Sequence, residues 1–224
     1  MNKETIREIV EVMVKNSLQK AKMVPIAASN RHIHLSAEHV ERLFGRGYEL
    51  TRLKDLSQPN QFAAKETLTL IGPKAKIQNV RVLGPARGST QVEVSLYDGF
   101  TLGVKPPIRN SGDINGSQPI TIQGPRGQIM IKEGLICAAR HIHMHTSDGE
   151  LFGVKDGDLV QVKVDGVRGV IFTNVLIRVS PKFKLEMHID LDEANAAGIK
   201  NGQLGEIVAI ESRKQVGEEN AGGC

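Results

Sequence analysis

The sequence predicts a mainly β protein with short helices, whose strands close into β-barrels. From residue 66 onward, the chain reads as short runs of apolar and β-branched residues separated by turn residues. Glycine and proline supply many of these turns, with 23 glycines and nine prolines in 224 residues. Few stretches show helical periodicity, and one sequence pattern occurs twice. Many short strands with glycine and proline turns and few helices are typical of β-barrels.

Length and composition narrow the classes of function. A chain of 224 residues fits one large domain or two small ones. It contains no apolar run of about 18 residues, so we expect no membrane span, and its start lacks the features of a secretory signal. The formal net charge of +4 suits an anionic ligand, but no basic and aromatic residues alternate as in base-stacking proteins, so we expect no nucleic-acid partner. Two cysteines are too few for a disulfide framework and indicate the reducing cytoplasm.

Residues 1–20 predict an amphipathic helix. Apolar residues recur at helical spacing from Ile6 to Leu18, Thr5 and Glu8 form a capping box, and Pro25 prevents continuation of the helix. A detached helix with one apolar stripe has to bury that stripe. It docks either on its own domain or on a partner such as a shell protein.

The rest of the chain reads as strands, one clear helix and loops. Residues 24–35 predict a strand, and Ser36 caps a helix over Ala37–Phe44. Residues 105–119 form a polar loop that includes Ser111 and offers backbone N–H groups to an anion. The tail, residues 211–224, is expected to be flexible. Further strands are predicted at residues 68–71, 80–83, 92–96, 120–122, 128–132, 159–164, 169–176 and 205–210.

The pattern that occurs twice is Arg-His-Ile-His, at residues 31–34 and 140–143. Residues i and i+2 of a strand share a face, so His32 and His34 project together, as do His141 and His143. Two neutral imidazoles on one face are a ready pair of metal ligands. A single copy would fit a half-buried strand with a histidine face equally well. Two internal copies favour metal binding.

The repeat nominates a third ligand in each half. Residues 92–104 align without gaps with residues 187–199, which places Glu93 opposite His188. Chance alignment of a core carboxylate with a core histidine is the alternative. Histidine and carboxylate ligands favour Zn²⁺ first and Fe²⁺, Co²⁺ or Mn²⁺ next. Cys137 is a further candidate ligand, although a small buried apolar role is more usual for such a cysteine.

Arg87 lies in a Gly-Pro-Ala-Arg-Gly loop shortly before Glu93. A guanidinium group beside glycine suits bidentate binding of phosphate, and a solvated turn arginine is the alternative on local grounds.

Four segments that carry these motifs resemble the PduL-type phosphate propanoyltransferases, the phosphotransacylases of bacterial microcompartments. The resemblance covers residues 24–210, and the four segments are residues 29–36, 109–113, 139–143 and 186–190. It implies two β-barrels with the active site between them, residues 21–30 and 139–210 forming one barrel and residues 31–138 the other, with a helical insert. It also implies a homodimer, and a role for residues 1–20 as an encapsulation peptide that directs the enzyme to the microcompartment lumen.

The resemblance also assigns roles to single residues. It implies two zinc ions, one held by His32, His34 and Glu93, the other by His141, His143 and His188. Arg87 is implied as the phosphate-binding arginine, and Ser111 lies in the loop at the active site. The implied coenzyme A pocket is lined by Ser29, Lys54, Arg81, Leu83 and Asn195.

The function that follows is a metal-dependent phosphate acyltransferase. It would transfer a propanoyl or acetyl group reversibly between coenzyme A and inorganic phosphate, giving an acyl phosphate. The sequence contains no evident protein nucleophile for this transfer. Two other readings stay open: a metal-dependent thioester or ester hydrolase, and a non-enzymatic metal-binding adaptor that docks through residues 1–20.

Overall fold

The computed structural model describes residues 5–7, which are helical, and residues 22–211. The rest of the predicted helix over residues 1–20 and the predicted tail after residue 211 lie outside the described residues. Elements of the described part follow in chain order. The strands are β1 (Met23–Ser29), β2 (His32–Ser36), β3 (Arg52–Asp55), β4 (Phe62–Ile71), β5 (Lys76–Arg87), β6 (Gln91–Glu93), β7 (Ile108–Arg109), β8 (Gln118–Gly124), β9 (Gly127–Ala138), β10 (His141–Met144), β11 (Leu159–Val164), β12 (Val170–Val179), β13 (Glu186–Asp190) and β14 (Leu204–Glu211). The helices are α1 (Ala37–Phe44), α2 (Leu96–Leu102), α3 (Thr146–Phe152) and α4 (Leu191–Ala197).

Within the described residues the strands close into two six-stranded barrels. The carboxyl-terminal barrel runs in the order β1, β13, β10, β12, β11, β14 and back to β1. The amino-terminal barrel runs β4, β5, β2, β6, β9, β8 and back to β4, with β3 and β7 paired at its margins. Closure leaves few unpaired strand edges. The predicted mainly β fold with two barrels and short helices is confirmed.

The chain crosses between the barrels immediately before each histidine pair. β1 pairs with β13 and β14, whereas β2 pairs with β5 and β6 of the other barrel. The same happens between β9 and β10. The prediction of one continuous strand over residues 24–35 is therefore wrong, because Asn30 and Arg31 carry the chain from one sheet to the other.

Helix α1 is confirmed with its predicted bounds, and the side chain of Ser36 accepts a hydrogen bond from the backbone N–H of His39. Helices α2, α3 and α4 were not predicted. Each has only seven residues, too few for a clear helical period, and each begins with a capping box. The predicted strand over residues 92–96 ends at Glu93, because Ser95 caps α2.

Each barrel has its own hydrophobic core. The isoleucine between each pair of histidines points into it: Ile33 and Ile142 are both fully buried. Their neighbours on the adjoining parallel strands, Val82 and Ile177, are fully buried as well. Since side chains alternate along a strand, burial of the isoleucines turns the histidines to the opposite face. No helix in residues 5–7 and 22–211 has the length and apolar composition that a membrane span requires.

Replacing Ile142 by Ala should lower the free energy of unfolding by about 2–5 kcal/mol, and replacing it by Val by about 0.5–1.5 kcal/mol, because the smaller side chains leave a cavity in the barrel core. Urea unfolding followed by circular dichroism measures both values. The half-exposed Ile171 on β12 is a matched control, and Ile171→Ala should change stability much less. An Ile142→Ala variant as stable as the original chain would contradict the orientation of β10.

Candidate active site

The first histidine cluster is formed by β2 and β6 of the amino-terminal barrel. These strands pair antiparallel with His32 directly opposite Glu93. One ligand atom each of His32, His34 and Glu93 lies within 4.8 Å of the others, and this is the one such group among the described residues. Three residues that the sequence analysis had proposed as one metal shell therefore lie together.

The second cluster is formed in the same register by β10 and β13 of the carboxyl-terminal barrel, where His141 lies directly opposite His188. Ring centroids are 4.7 Å apart for His141 and His143, 5.2 Å for His141 and His188, and 5.0 Å for His143 and His188. Each of the three rings is adjacent to the other two, although their nitrogen atoms are not gathered as closely as the ligand atoms of the first cluster. Glu93 and His188, aligned by the repeat, occupy equivalent pairing positions.

The leading histidine of each pair is held in one tautomer by the crossing segment. Nδ1 of His32 lies 2.8 Å from the carbonyl oxygen of Asn30, and Nδ1 of His141 lies 2.8 Å from that of Ala139. A carbonyl oxygen only accepts, so Nδ1 carries the proton in both rings. The neutral ring then has its lone pair on Nε2, the state that a metal ligand needs.

Three buried ring nitrogens in the clusters lack a hydrogen-bond partner among the described residues: Nδ1 of His34, Nδ1 of His143 and Nε2 of His188. Leaving a buried polar atom unpaired costs about 1–3 kcal/mol. Nε2 of His188 lies 3.1 Å from Oε2 of Glu186 but outside hydrogen-bond geometry, and Nε2 of His32 lies 3.4 Å from Oε2 of Glu93. Unpaired imidazole nitrogens beside carboxylate oxygens fit a divalent metal such as Zn²⁺.

Burial keeps most of these imidazoles neutral. Desolvation, with the charges of neighbouring histidines, lowers the pKa of His34 to about 2, of His143 to about 2 and of His141 to about 4. His32 differs, because Glu93 outweighs desolvation and raises its pKa. Desolvation alone would raise the pKa of Glu93, but His32, His34 and Ser111 hold it far below its usual value. Burial therefore favours the neutral imidazole at His34, His141 and His143, and Glu93 is held as the ionised carboxylate, the forms that bind metals.

The carboxylate of Glu93 is oriented by two polar neighbours. Ser111 donates a hydrogen bond of 2.8 Å to Oε1, and Nε2 of Gln91 donates one of 2.6 Å to the same oxygen. Gln91 also accepts from the backbone N–H of Gly112, which fixes the polar loop against the cluster. Ser111, expected in the loop at the active site, is thus placed against a proposed metal ligand. Gln91 was missed by the sequence analysis, although it lies two residues from Glu93 on the same face of β6.

The arginine before each histidine pair ties the crossing segment to a helix start. Arg31 forms a two-point ion pair with Asp98, with Nε–Oδ2 of 2.9 Å and Nη2–Oδ1 of 2.7 Å. Arg140 lies 3.1 Å from Glu193. Asp98 and Glu193 are the acidic residues of the capping boxes that begin α2 and α4. The repeated arginine therefore ties its histidine pair to the helix that follows the third candidate ligand of the same barrel.

The two clusters face a common cleft at the seam between the barrels. Its lining includes His32 and Glu93 from one barrel and His141 and His188 from the other. Ser29, predicted for the coenzyme A pocket, lines the same cleft. Burial lowers the pKa values of His141 and His143, and Glu93 of the other barrel opposes this effect across the seam.

The other predicted pocket residues fall in three places. Lys54, on β3, and Leu83, on β5, lie in one cross-strand row with His34, through Ala63 of β4. Arg81 lies beside His32 and donates hydrogen bonds to the carbonyl oxygens of residues 64 and 65. Asn195 lies on α4 with its side chain exposed, away from this row.

Arg87 ends β5, next to Ser36 in the register with β2. Its one hydrogen bond among the described residues is a long one, 3.4 Å from Nη2 to Oε1 of Gln61, and it forms no ion pair there. Burial lowers its pKa, although Glu93 opposes this effect. A half-buried guanidinium group without a carboxylate partner is available to an anion.

Cys137 is buried, and its thiol lies 3.3 Å from Oδ2 of Asp190. Burial, with the nearby acidic residues, raises the pKa of this thiol. The thiol is directed to Asp190 and does not belong to the group of His32, His34 and Glu93.

The loop between β3 and β4 joins the barrels beside the second cluster. The side-chain amide of Gln58 donates to the carbonyl oxygen of Lys184 at 2.9 Å and accepts from its backbone N–H at 3.2 Å. Ser57 donates a hydrogen bond to Glu186, which lies opposite His143. Glu186 was also missed by the sequence analysis. The repeat register that pairs Glu93 with His188 places it opposite Gln91, so the alignment could have found it.

Comparison with known proteins decides the family. The profile of the phosphate propanoyltransferase family matches residues 25–200, which include both barrels and both clusters. The chain belongs to the phosphate propanoyltransferase family. The resemblance noted in the sequence is therefore confirmed.

Relatives in this family are similar along nearly the whole chain. A phosphate propanoyltransferase of Priestia megaterium is 57% identical over 214 residues, covering 94% of this chain and 99% of the relative. The phosphate propanoyltransferase of Thermotoga maritima is 53% identical over 204 residues, covering 91% of this chain and 95% of the relative. That of Lachnoclostridium phytofermentans is 54% identical over 204 residues, covering 88% and 95%.

Replacing Arg31 by Gln should lower the free energy of unfolding by about 2 kcal/mol, because the nearly buried carboxylate of Asp98 loses both of its charged hydrogen bonds. Urea unfolding in the presence of a chelator measures this without a contribution from bound metal. Arg126→Gln, at an exposed turn position, is the control and should stay within about 0.5 kcal/mol. Equal stability of the two variants would show that the Arg31–Asp98 pair is not needed.

Proposed function

We propose that the protein catalyses the reversible, metal-dependent transfer of a propanoyl or acetyl group between coenzyme A and inorganic phosphate. As a member of its family it is an enzyme, a phosphate acyltransferase. The observation that supports the metal-dependent mechanism is the shared cleft, to which both histidine clusters contribute side chains.

The reaction needs attack by phosphate on a thioester. An oxygen of hydrogen phosphate attacks the carbonyl carbon, the carbon–sulfur bond breaks, and the proton lost by phosphate ends on the sulfur of coenzyme A. Arg87 would bind the phosphate through its guanidinium fork and hold it near the carbonyl carbon. Its positive charge would offset the negative charge that gathers in the transition state. No protein nucleophile is required.

Two divalent ions are the proposed cofactors, with Zn²⁺ preferred and other divalent metals able to replace it. His32, His34 and Glu93 would hold one ion, and His141, His143 and His188 the other. Bound metal would polarise the thioester carbonyl and stabilise the departing thiolate. The unpaired nitrogens of His34, His143 and His188 support this assignment, because a metal would satisfy them.

The coenzyme A pocket is proposed along the row that leads from Lys54 through Leu83 to the first cluster. Exposed Lys54 would meet the phosphates of coenzyme A, and Leu83 would contact apolar parts of the cofactor. Ser29 is the last residue of β1 and lines the cleft. Arg81 lies beside His32, the first residue of β2, which also lines the cleft. Asn195 would contribute from α4 of the other barrel. Ser111 would act by orienting the carboxylate of Glu93 through its hydrogen bond.

Location and assembly rest on the resemblance to the family. We propose a homodimer in the lumen of a bacterial microcompartment, with residues 1–20 docking on a shell protein. Those residues lie largely outside the described part of the chain.

A thiol-release assay tests the function directly. Metal-loaded protein with propanoyl-CoA should release free thiol only when phosphate is added, and removal of metal by a chelator should abolish release because the carbonyl loses its polarising ion. Adding Zn²⁺ back should restore the activity. Release without phosphate would instead support a thioester hydrolase, and absence of release under all conditions would support a metal-binding adaptor.

A further inference from the structure

The strand register places a second arginine on the face of the carboxyl-terminal barrel that carries the histidines. β12 runs parallel to β10, with Ile177 beside Ile142 and Arg178 beside His143. Both isoleucines are fully buried in the barrel core. Because neighbouring residues of a strand point to opposite faces, the side chain of Arg178 lies on the face of His141 and His143.

An aromatic ring holds this guanidinium group next to the second cluster. The Cζ atom of Arg178 lies 5.7 Å from the ring centroid of Phe183, within the range of a cation–π contact. The ring of Phe183 in turn packs 4.2 Å from that of His143, centroid to centroid. Among the described residues, Arg178 has no carboxylate within ion-pair distance. Its charge is therefore not neutralised by the protein.

Arg87 of the amino-terminal barrel likewise forms no ion pair with a carboxylate in the described part of the chain. The two groups act on one another: burial lowers the pKa of Arg87, Glu93 raises it, and the positive charge of Arg178 lowers it further. The charges of both arginines also lower the pKa values of the neighbouring histidines. The guanidinium groups of Arg87 and Arg178 carry like charges and repel each other. An anion bound by both would offset that repulsion.

We propose that Arg178 is a second phosphate-binding residue, and that phosphate is held between Arg87 of one barrel and Arg178 of the other. This rests on the proposed function, in which phosphate is the acyl acceptor. A tetrahedral anion offers enough oxygens for two guanidinium forks, and each arginine keeps its charge at every working pH. Because the arginines come from different barrels, bound phosphate would also link the barrels across the seam.

Steady-state kinetics with Arg178→Gln tests the assignment. The KM for phosphate should rise at least about tenfold, because a charged two-point contact is lost, whereas the KM for propanoyl-CoA should stay within about twofold. Arg87→Gln should show the same pattern. Arg168→Gln is the matched control, since Arg168 is exposed on the same barrel, and it should leave both constants unchanged.

A binding measurement without turnover separates the proposed role of Arg178 from the proposed enzymatic function. The metal-loaded original chain should gain thermal stability when inorganic phosphate replaces chloride at equal ionic strength, and Arg178→Gln should lose most of that gain. Arg178→Lys keeps the charge and the contact with Phe183, so it guards against misfolding of the Gln variant and should lose part of the gain. If the original chain releases thiol with phosphate, but both Arg178 variants keep its phosphate KM and thermal shift, Arg178 is not a phosphate ligand and the proposed function stands. If the original chain itself shows no phosphate-dependent thiol release, the proposed function is wrong and the role of Arg178 is wrong with it.

Discussion

The candidate site depends on one feature of strand pairing. In each barrel a histidine pair enters the sheet immediately after the chain has crossed from the other barrel, and its first histidine lies directly opposite a third candidate ligand. The crossing segment supplies the carbonyl oxygen that sets the tautomer of that histidine, and its arginine pairs with an acidic residue in the first turn of the helix that follows the third candidate ligand. A shift of one residue in this register would turn the histidines into the core and the isoleucines into the cleft.

This pairing also explains the electrostatics of the cleft. Burial favours neutral imidazoles, and the carboxylate of Glu93 is held ionised by its neighbours. In the described part of the chain, Arg87 of one barrel and Arg178 of the other have no carboxylate within ion-pair distance. Taken alone, this collection of unpaired nitrogens and positive charges is unfavourable. Divalent metal beside the histidines and an anionic substrate beside the arginines would satisfy both, which is why the arrangement suits acyl transfer to phosphate.

Much of the site could be predicted because its residues carry strong local patterns. The two His-x-His pairs stand out at a strand period, and the repeat register found Glu93 and His188 without any structure. Arg178 could not be found in that way, because the same register places it opposite Leu83. Its position became evident only from the pairing of β12 with β10. Gln91 and Glu186 were within reach of the alignment, but an amide opposite a carboxylate does not attract notice as a ligand pair.

The sequence predicted the fold class correctly, but it predicted the short helices and the strand boundaries less well. Helix α1 was found because Ser36 and an eight-residue apolar pattern mark it, whereas the seven-residue helices α2, α3 and α4 are too short to show a period. The break between β1 and β2 was missed because both segments are extended and each contributes apolar residues to a core. Their partners differ, and the choice of partner depends on residues at least 49 positions away along the chain.

We propose that two divalent metal ions bind at the seam between the barrels. Anomalous diffraction from crystals of the zinc-loaded protein, recorded on both sides of the zinc absorption edge, tests it most directly. We expect two peaks, one bounded by His32, His34 and Glu93 and the other by His141, His143 and His188. Peaks at other side chains, or a fully loaded crystal with no peak at either cluster, would contradict it.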